Sequence, residues 1–187
     1  MTETSPDQYV IPSRDPATIP PLRLGSLLGD IPHALIGGHA VNVWVEPRLT
    51  MDIDVLIAGD RSSVDLAASR LVADGFTQTD KHGEARLPAD FQRFRSPDGR
   101  VVVELLAVRT ELQRDVLRRA CALHGGLRVA TPEDLIVLKL IADRGKDLKD
   151  LLDLCALPGL DWGYIERWAD TWRVRDRLDS YRARARR

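Results

Sequence analysis

Read from its apolar positions, the chain alternates short runs of strand character with longer stretches at helical spacing, the pattern of an α+β domain. Residues 1–20 carry Pro6, Pro12, Pro16 and Pro20 in a polar context without any period, which predicts a flexible arm. Residues 22–28 then fit a short helix, and His33-Ala34-Leu35-Ile36 is a brief apolar run stopped by Gly37-Gly38, as a buried strand would be. Ala40, Val41, Val43, Trp44 and Val45 line a short helix that has to end before Pro47. The run Met51-Asp52-Ile53-Asp54-Val55-Leu56-Ile57 alternates and then becomes wholly apolar, which predicts a central strand whose first half faces a cleft. Asp60-Arg61-Ser62-Ser63 supplies the N-cap of a helix through Ala73. Residues 75–95 show no clear period and are read as one or two strands joined by polar turns. Ser96-Pro97-Asp98-Gly99 is hairpin chemistry, and it leads into the strand Val101-Val102-Val103-Glu104-Leu105-Leu106.

From Thr110 the pattern turns helical. Leu112, Val116 and Leu117 form one face, a short strand is expected around Leu127-Arg128-Val129, and Thr131-Pro132-Glu133-Asp134 combines an N-cap, a first-turn proline and two early acids. The helices that follow carry residues 135–142, then Leu148, Leu151, Leu152 and Leu154, then Trp162, Ile165, Trp168 and Trp172. Tryptophans at that spacing read as core or interface. The predicted organisation is a flexible arm over 1–20, a core over 21–130 and a C-terminal helical part over 131–187.

Composition narrows the class. The 187 residues suffice for one full core and not for two ordinary domains. No apolar run approaches the length that spans a bilayer, and the first residues have no basic start followed by an apolar core, so a cytoplasmic protein with no membrane partner is expected. Cys121 and Cys155 sit inside apolar patterns read as helical and are assigned no chemistry. The net charge of −1 argues against a wholesale nucleic-acid coat, yet seven arginines between residues 173 and 187 face only Asp176 and Asp179, and that tail could touch a polyanion.

The chemistry concentrates on the predicted central strand. Side chains two apart on a strand share a face, so Asp52 and Asp54 stand together with Ile53 buried behind them. Two such carboxylates repel unless a cation lies between them, and magnesium takes carboxylates completed by phosphate and water. Glu104, flanked by Val103 and Leu105 in an apolar strand, is the candidate third ligand. Gly37-Gly38, between a strand and a helix, leaves backbone N–H groups free to hold phosphate oxygens. His39, His82 and His124 have no metal-ligand spacing. Lys139, on an apolar helix, either reaches a phosphate group or snorkels to Asp143 or Glu133. Asp147 and Asp150 are read as capping or salt-bridging their helix.

The run Leu35-Ile36-Gly37-Gly38-His39-Ala40-Val41-Asn42-Val43-Trp44, then Pro47-Arg48-Leu49-Thr50-Met51-Asp52-Ile53-Asp54, resembles the minimal nucleotidyltransferases of the DNA-polymerase-β superfamily, especially the AbiEii-type toxin group. A second block, Thr131-Pro132-Glu133-Asp134-Leu135-Ile136-Val137-Leu138-Lys139-Leu140 through Lys146-Asp147-Leu148-Lys149-Asp150-Leu151, is similar to that group's later motif. The resemblance implies a small mixed sheet backed by helices, two magnesium ions held by Asp52, Asp54 and Glu104, and a nucleoside triphosphate as donor. It further implies that Lys139, Arg48 and Thr50 steady the triphosphate, and it offers a distal acid among Asp147 and Asp150 to activate the acceptor. The implied acceptor is an RNA, a protein hydroxyl or a small molecule such as an aminoglycoside, and the implied partner is a cognate antitoxin. Two departures stand out: Gly38 replaces the usual serine, and Glu104 replaces the commoner aspartate. The arginine tail suits RNA, whereas Asp143, Asp147, Asp150 and Asp153 suit a cationic sugar. A transferase domain that has lost catalysis and serves as a binding partner is the competing reading.

Overall fold

The computed structural model describes residues 23–59, 61–79 and 91–185. The predicted arm over 1–20, and Lys81 and His82 within the ambiguous stretch, lie outside the described residues.

Among the described residues the chain runs α1 (Arg23–Leu28), β1 (His33–Ile36), α2 (Gly37–Trp44), β2 (Asp52–Ile57), α3 (Arg61–Ala73), β3 (Thr77–Gln78), β4 (Phe91–Arg95) and β5 (Val102–Ala107). It continues through α4 (Glu111–Arg119), β6 (Cys121–Ala122), β7 (Arg128–Val129), α5 (Pro132–Ala142), α6 (Leu148–Cys155), α7 (Trp162–Thr171) and α8 (Arg175–Ala185). The strands form one mixed sheet in the order β3-β4-β5-β2-β1-β7-β6. β2 is central: it runs antiparallel to β1, with Ile36 opposite Asp54, and parallel to β5, with Asp54 opposite Glu104. The fold class is therefore α+β with a small mixed sheet backed by helices.

Local chemistry accounts for the boundaries. Gly37 starts α2 directly after β1 because it adopts φ +68°, a left-handed turn open to glycine. Thr110 and Gln113 form a reciprocal capping box on α4, and Thr131 with Pro132 caps α5. The turn at residues 96–99 joins β4 and β5 as an antiparallel hairpin, with Ser96 N–H bonded to the Val101 carbonyl. One expectation is corrected. Cys121 lies in strand β6 rather than a helix, because Leu123 and Leu127 close a tight turn that pairs Cys121 with Val129. The arginine-rich end forms helix α8, which buries Leu178 against the core.

One continuous apolar core unites sheet and helices, from Leu28, Leu35 and Val55 through Val116, Ile136 and Leu154 to Leu178. Each fully buried Leu or Ile contributes about 1.5–3 kcal/mol, so α5 to α8 are held by the same core as the sheet. No helix among the described residues is long and apolar enough to cross a membrane.

Candidate active site

Alternation on β2 sends Ile53, Val55 and Ile57 into the core, and Asp52 and Asp54 to the other face. Parallel pairing in register brings Glu104 of β5 beside Asp54 on that same face, flanked by buried Val103 and Leu105. The three carboxylates therefore converge. Burial, the charge of Glu104, a hydrogen bond with Glu104 and the charge of Asp52 together raise the Asp54 carboxyl to about 7. Between Asp52 and Glu104 lies a residue that sequence reading missed: Arg93 of β4, opposite Glu104 in the hairpin, donates from Nη2 to Asp52 Oδ1 at 3.2 Å and brings Nε within 3.4 Å of Glu104 Oε1. Its position was legible in principle. A hairpin centred on Asp98-Gly99 sets residue 93 across from residue 104.

The glycine pair is packed flush against these groups. A Cβ on Gly37 would stand 1.9 Å from Asp54 Oδ2, and one on Gly38 would stand 2.7 Å from Thr50 Oγ1. The absence of serine at position 38 thus has a steric reason, because the Thr50 hydroxyl fills that space. His39 hydrogen-bonds the Thr50 backbone, while its Nδ1 is buried without a hydrogen-bond partner. Burial first, and the charge of Arg48 second, favour its neutral form.

A second buried cluster adjoins the first. Lys139 Nζ lies 2.7 Å from both Asp147 Oδ1 and Asp150 Oδ2, and it is 3% exposed. Arg48 makes a fork to Asp150, with Nε and Nη2 each 2.6 Å from a carboxylate oxygen, and Arg144 Nε donates to Asp147 at 2.8 Å. Burial would raise Asp147 and Asp150, but hydrogen bonds from Arg144 and Lys139 to the first, and from Arg48 and Lys139 to the second, hold both below the usual range. The expected pairing of Lys139 with Asp143 or Glu133 is corrected: Asp143 meets Arg177, and Glu133 meets Arg119. Asp147 and Asp150 pair across elements rather than only within their helix. The two clusters touch electrostatically, since the charge of Arg144 is felt at Asp54.

Three arginines of the tail are engaged within the chain. Arg175 meets Glu166, Asp170 and Asp179, Arg177 meets Asp143, and Arg182 pairs with Glu166 while lying over the Trp162 ring.

An all-oxygen set of three carboxylates, two of them pressed together and sharing a hydrogen bond, is the donor chemistry that magnesium takes. Among the described residues no three acidic, histidine or cysteine side chains are already drawn into a metal cage, and Arg93 spans two of these carboxylates instead. The donor types fit the ion.

The family model described as "Nucleotidyl transferase AbiEii toxin, Type IV TA system" matches residues 28–187. The chain belongs to the AbiEii nucleotidyl transferase toxin family. Both sequence blocks and all three carboxylates fall inside the matched AbiEii region. No curated protein matches the chain. Among solved structures it is similar to JHP933 from Helicobacter pylori, at 19% identity and a TM-score of 0.48, covering 84% of this chain and 73% of that one. It is also similar to ANT(2'')-Ia in complex with adenylyl-2''-tobramycin, at 15% identity and a TM-score of 0.43, covering 88% of this chain and 92% of that one. At these scores neither likeness bears on the site, and the AbiEii match alone assigns the family.

Proposed function

We propose that this chain is a magnesium-dependent nucleotidyltransferase that moves a nucleoside monophosphate from a nucleoside triphosphate to an acceptor hydroxyl, releasing pyrophosphate. The observation that carries the reading is the convergence of Asp52, Asp54 and Glu104 from two paired strands onto one face, with Asp54 raised to about 7 by burial and by Glu104. Such mutual repulsion between carboxylates is what a divalent cation relieves.

Magnesium, when bound, neutralises phosphate charge and activates the attacking oxygen. Asp52 and Asp54 would hold both magnesium ions, and Glu104 would join them in binding the ion that activates the acceptor and would take up the acceptor's proton. The backbone N–H groups after Gly37 and the Thr50 hydroxyl orient the phosphates from the start of α2. Arg48 and Lys139, both committed to Asp150, lend positive charge behind the phosphates. The family's description as part of a type IV toxin-antitoxin system supports use as a toxin checked by a cognate antitoxin.

Incubation with each labelled triphosphate, magnesium and total RNA tests the reading and identifies the acceptor class, since label enters RNA, protein or a small molecule. Asp54→Asn should lower transfer by about a thousandfold with an unchanged circular-dichroism spectrum. Undiminished transfer by that variant, or none by the wild type with any triphosphate and acceptor, overturns the assignment.

A further inference from the structure

Arg93 stands where a cation would be expected. It reaches Asp52 at 3.2 Å and Glu104 at 3.4 Å, the strand and hairpin that carry it are fixed by pairing with β5, and its side chain is mostly buried. The contact is nevertheless loose. Nε is buried and completes no hydrogen bond, although it faces a carboxylate oxygen. By contrast Arg48 closes a two-point fork on Asp150 at 2.6 Å on both arms. A guanidinium held this way neutralises the acids without being locked to them, because its long side chain can swing while the backbone stays paired.

We propose that Arg93 is a built-in competitor of the divalent cation: it bridges Asp52 and Glu104 in the metal-free protein and gives up both carboxylates when the ion enters. The inference rests on the carboxylate site proposed above. A guanidinium and a divalent cation cannot share the same oxygens, since like charges a few ångströms apart repel strongly in a partly buried setting. Metal uptake therefore includes the displacement of Arg93, which weakens binding of the free ion. The released guanidinium stays tethered beside the site, where an anionic donor gives it a new partner. Ion and triphosphate would then bind together more favourably than the ion alone.

The test compares Mn2+ affinity, read by electron paramagnetic resonance of free Mn2+, and thermal melting with and without Mn2+, for the wild type, Arg93→Met and Arg93→Gln in the absence of nucleotide. Removing the competing charge should tighten Mn2+ binding by about tenfold or more. The metal-free variants should melt lower than the wild type, and saturating Mn2+ should restore most of the difference. Either variant suffices if the other fails to fold. Equal Mn2+ affinity in all three proteins, or a melting loss that Mn2+ does not restore, overturns the role of Arg93 and leaves the carboxylate site standing. Absence of Mn2+ binding in every protein overturns both.

Discussion

The carboxylate face of β2 and β5 and the cluster around Lys139 lie next to each other and meet the same cost of burying charge in opposite ways. Asp54 faces Glu104 and Asp52, and it is raised to about 7. Asp147 and Asp150, at 1% and 2% exposed, receive Lys139, Arg144 and Arg48, and they are lowered. Burial pushes all three carboxyls upward, so the charge of the neighbours decides the sign. A cluster balanced from within serves as scaffold. One left in internal repulsion has use for an ion from outside.

The largest effect on stability should come from breaking the balanced cluster. Lys139→Met leaves Asp147 and Asp150 without their shared ammonium and should cost about 3–5 kcal/mol, measured by urea unfolding. A loss below about 1 kcal/mol would mean that Arg48 and Arg144 compensate fully, and the contrast would weaken.

The pH dependence of stability should then separate the two regions. A raised carboxyl binds its proton more tightly in the folded chain than in the unfolded one. Asp54 therefore contributes stability at low pH, and this is lost as pH rises from the ordinary carboxylate value of 3.8 towards about 7. Asp147 and Asp150 behave oppositely: their contribution is present above the ordinary value and is lost as pH falls through their lowered folded values. In metal-free melts, Asp54→Asn should flatten the decline between pH 4 and 7 while leaving the acid limb in place. An unchanged profile would show that Asp54 does not carry the repulsion.

The smallest effect sharpens the glycine contacts. Gly38→Ser adds a Cβ that meets Thr50 Oγ1 at 2.7 Å and should cost about 1–3 kcal/mol. Pairing it with Thr50→Ala should recover most of the loss in a double-mutant cycle, and additive losses would show that the two positions do not share one space.

The part of this site that was legible in the sequence is the part set by local period. Asp52, Asp54 and Glu104 stand out because strand alternation and apolar flanks fix their face without knowledge of distant partners. The glycine turn was legible for the same reason. Arg93 was hidden in a stretch without period, and only the register of a hairpin exposes it. The partners of Lys139, Asp147 and Asp150, lie on the far side of the turn after α5, beyond the spacing at which Asp143 follows on the same helix, and Arg48 reaches Asp150 from 102 positions away. In the arginine tail, a count of charges does not reveal that Glu166, Asp170 and Asp143 pair with Arg175 and Arg177.

Helix α5 is gripped at both ends. At its start, Thr131 and Tyr164 hydroxyls donate to the fully buried Asp134, with Arg119 stacked 3.9 Å from the Tyr164 ring centre. At its finish, Arg177 of α8 donates to the Leu140 carbonyl and pairs with Asp143. Lys139 rides between these anchors, so its depth beneath the carboxylate face is dictated by residues of α7 and α8. Damage to the far end of the chain would reach the ammonium as a change of tilt, and the helix acts as a splint.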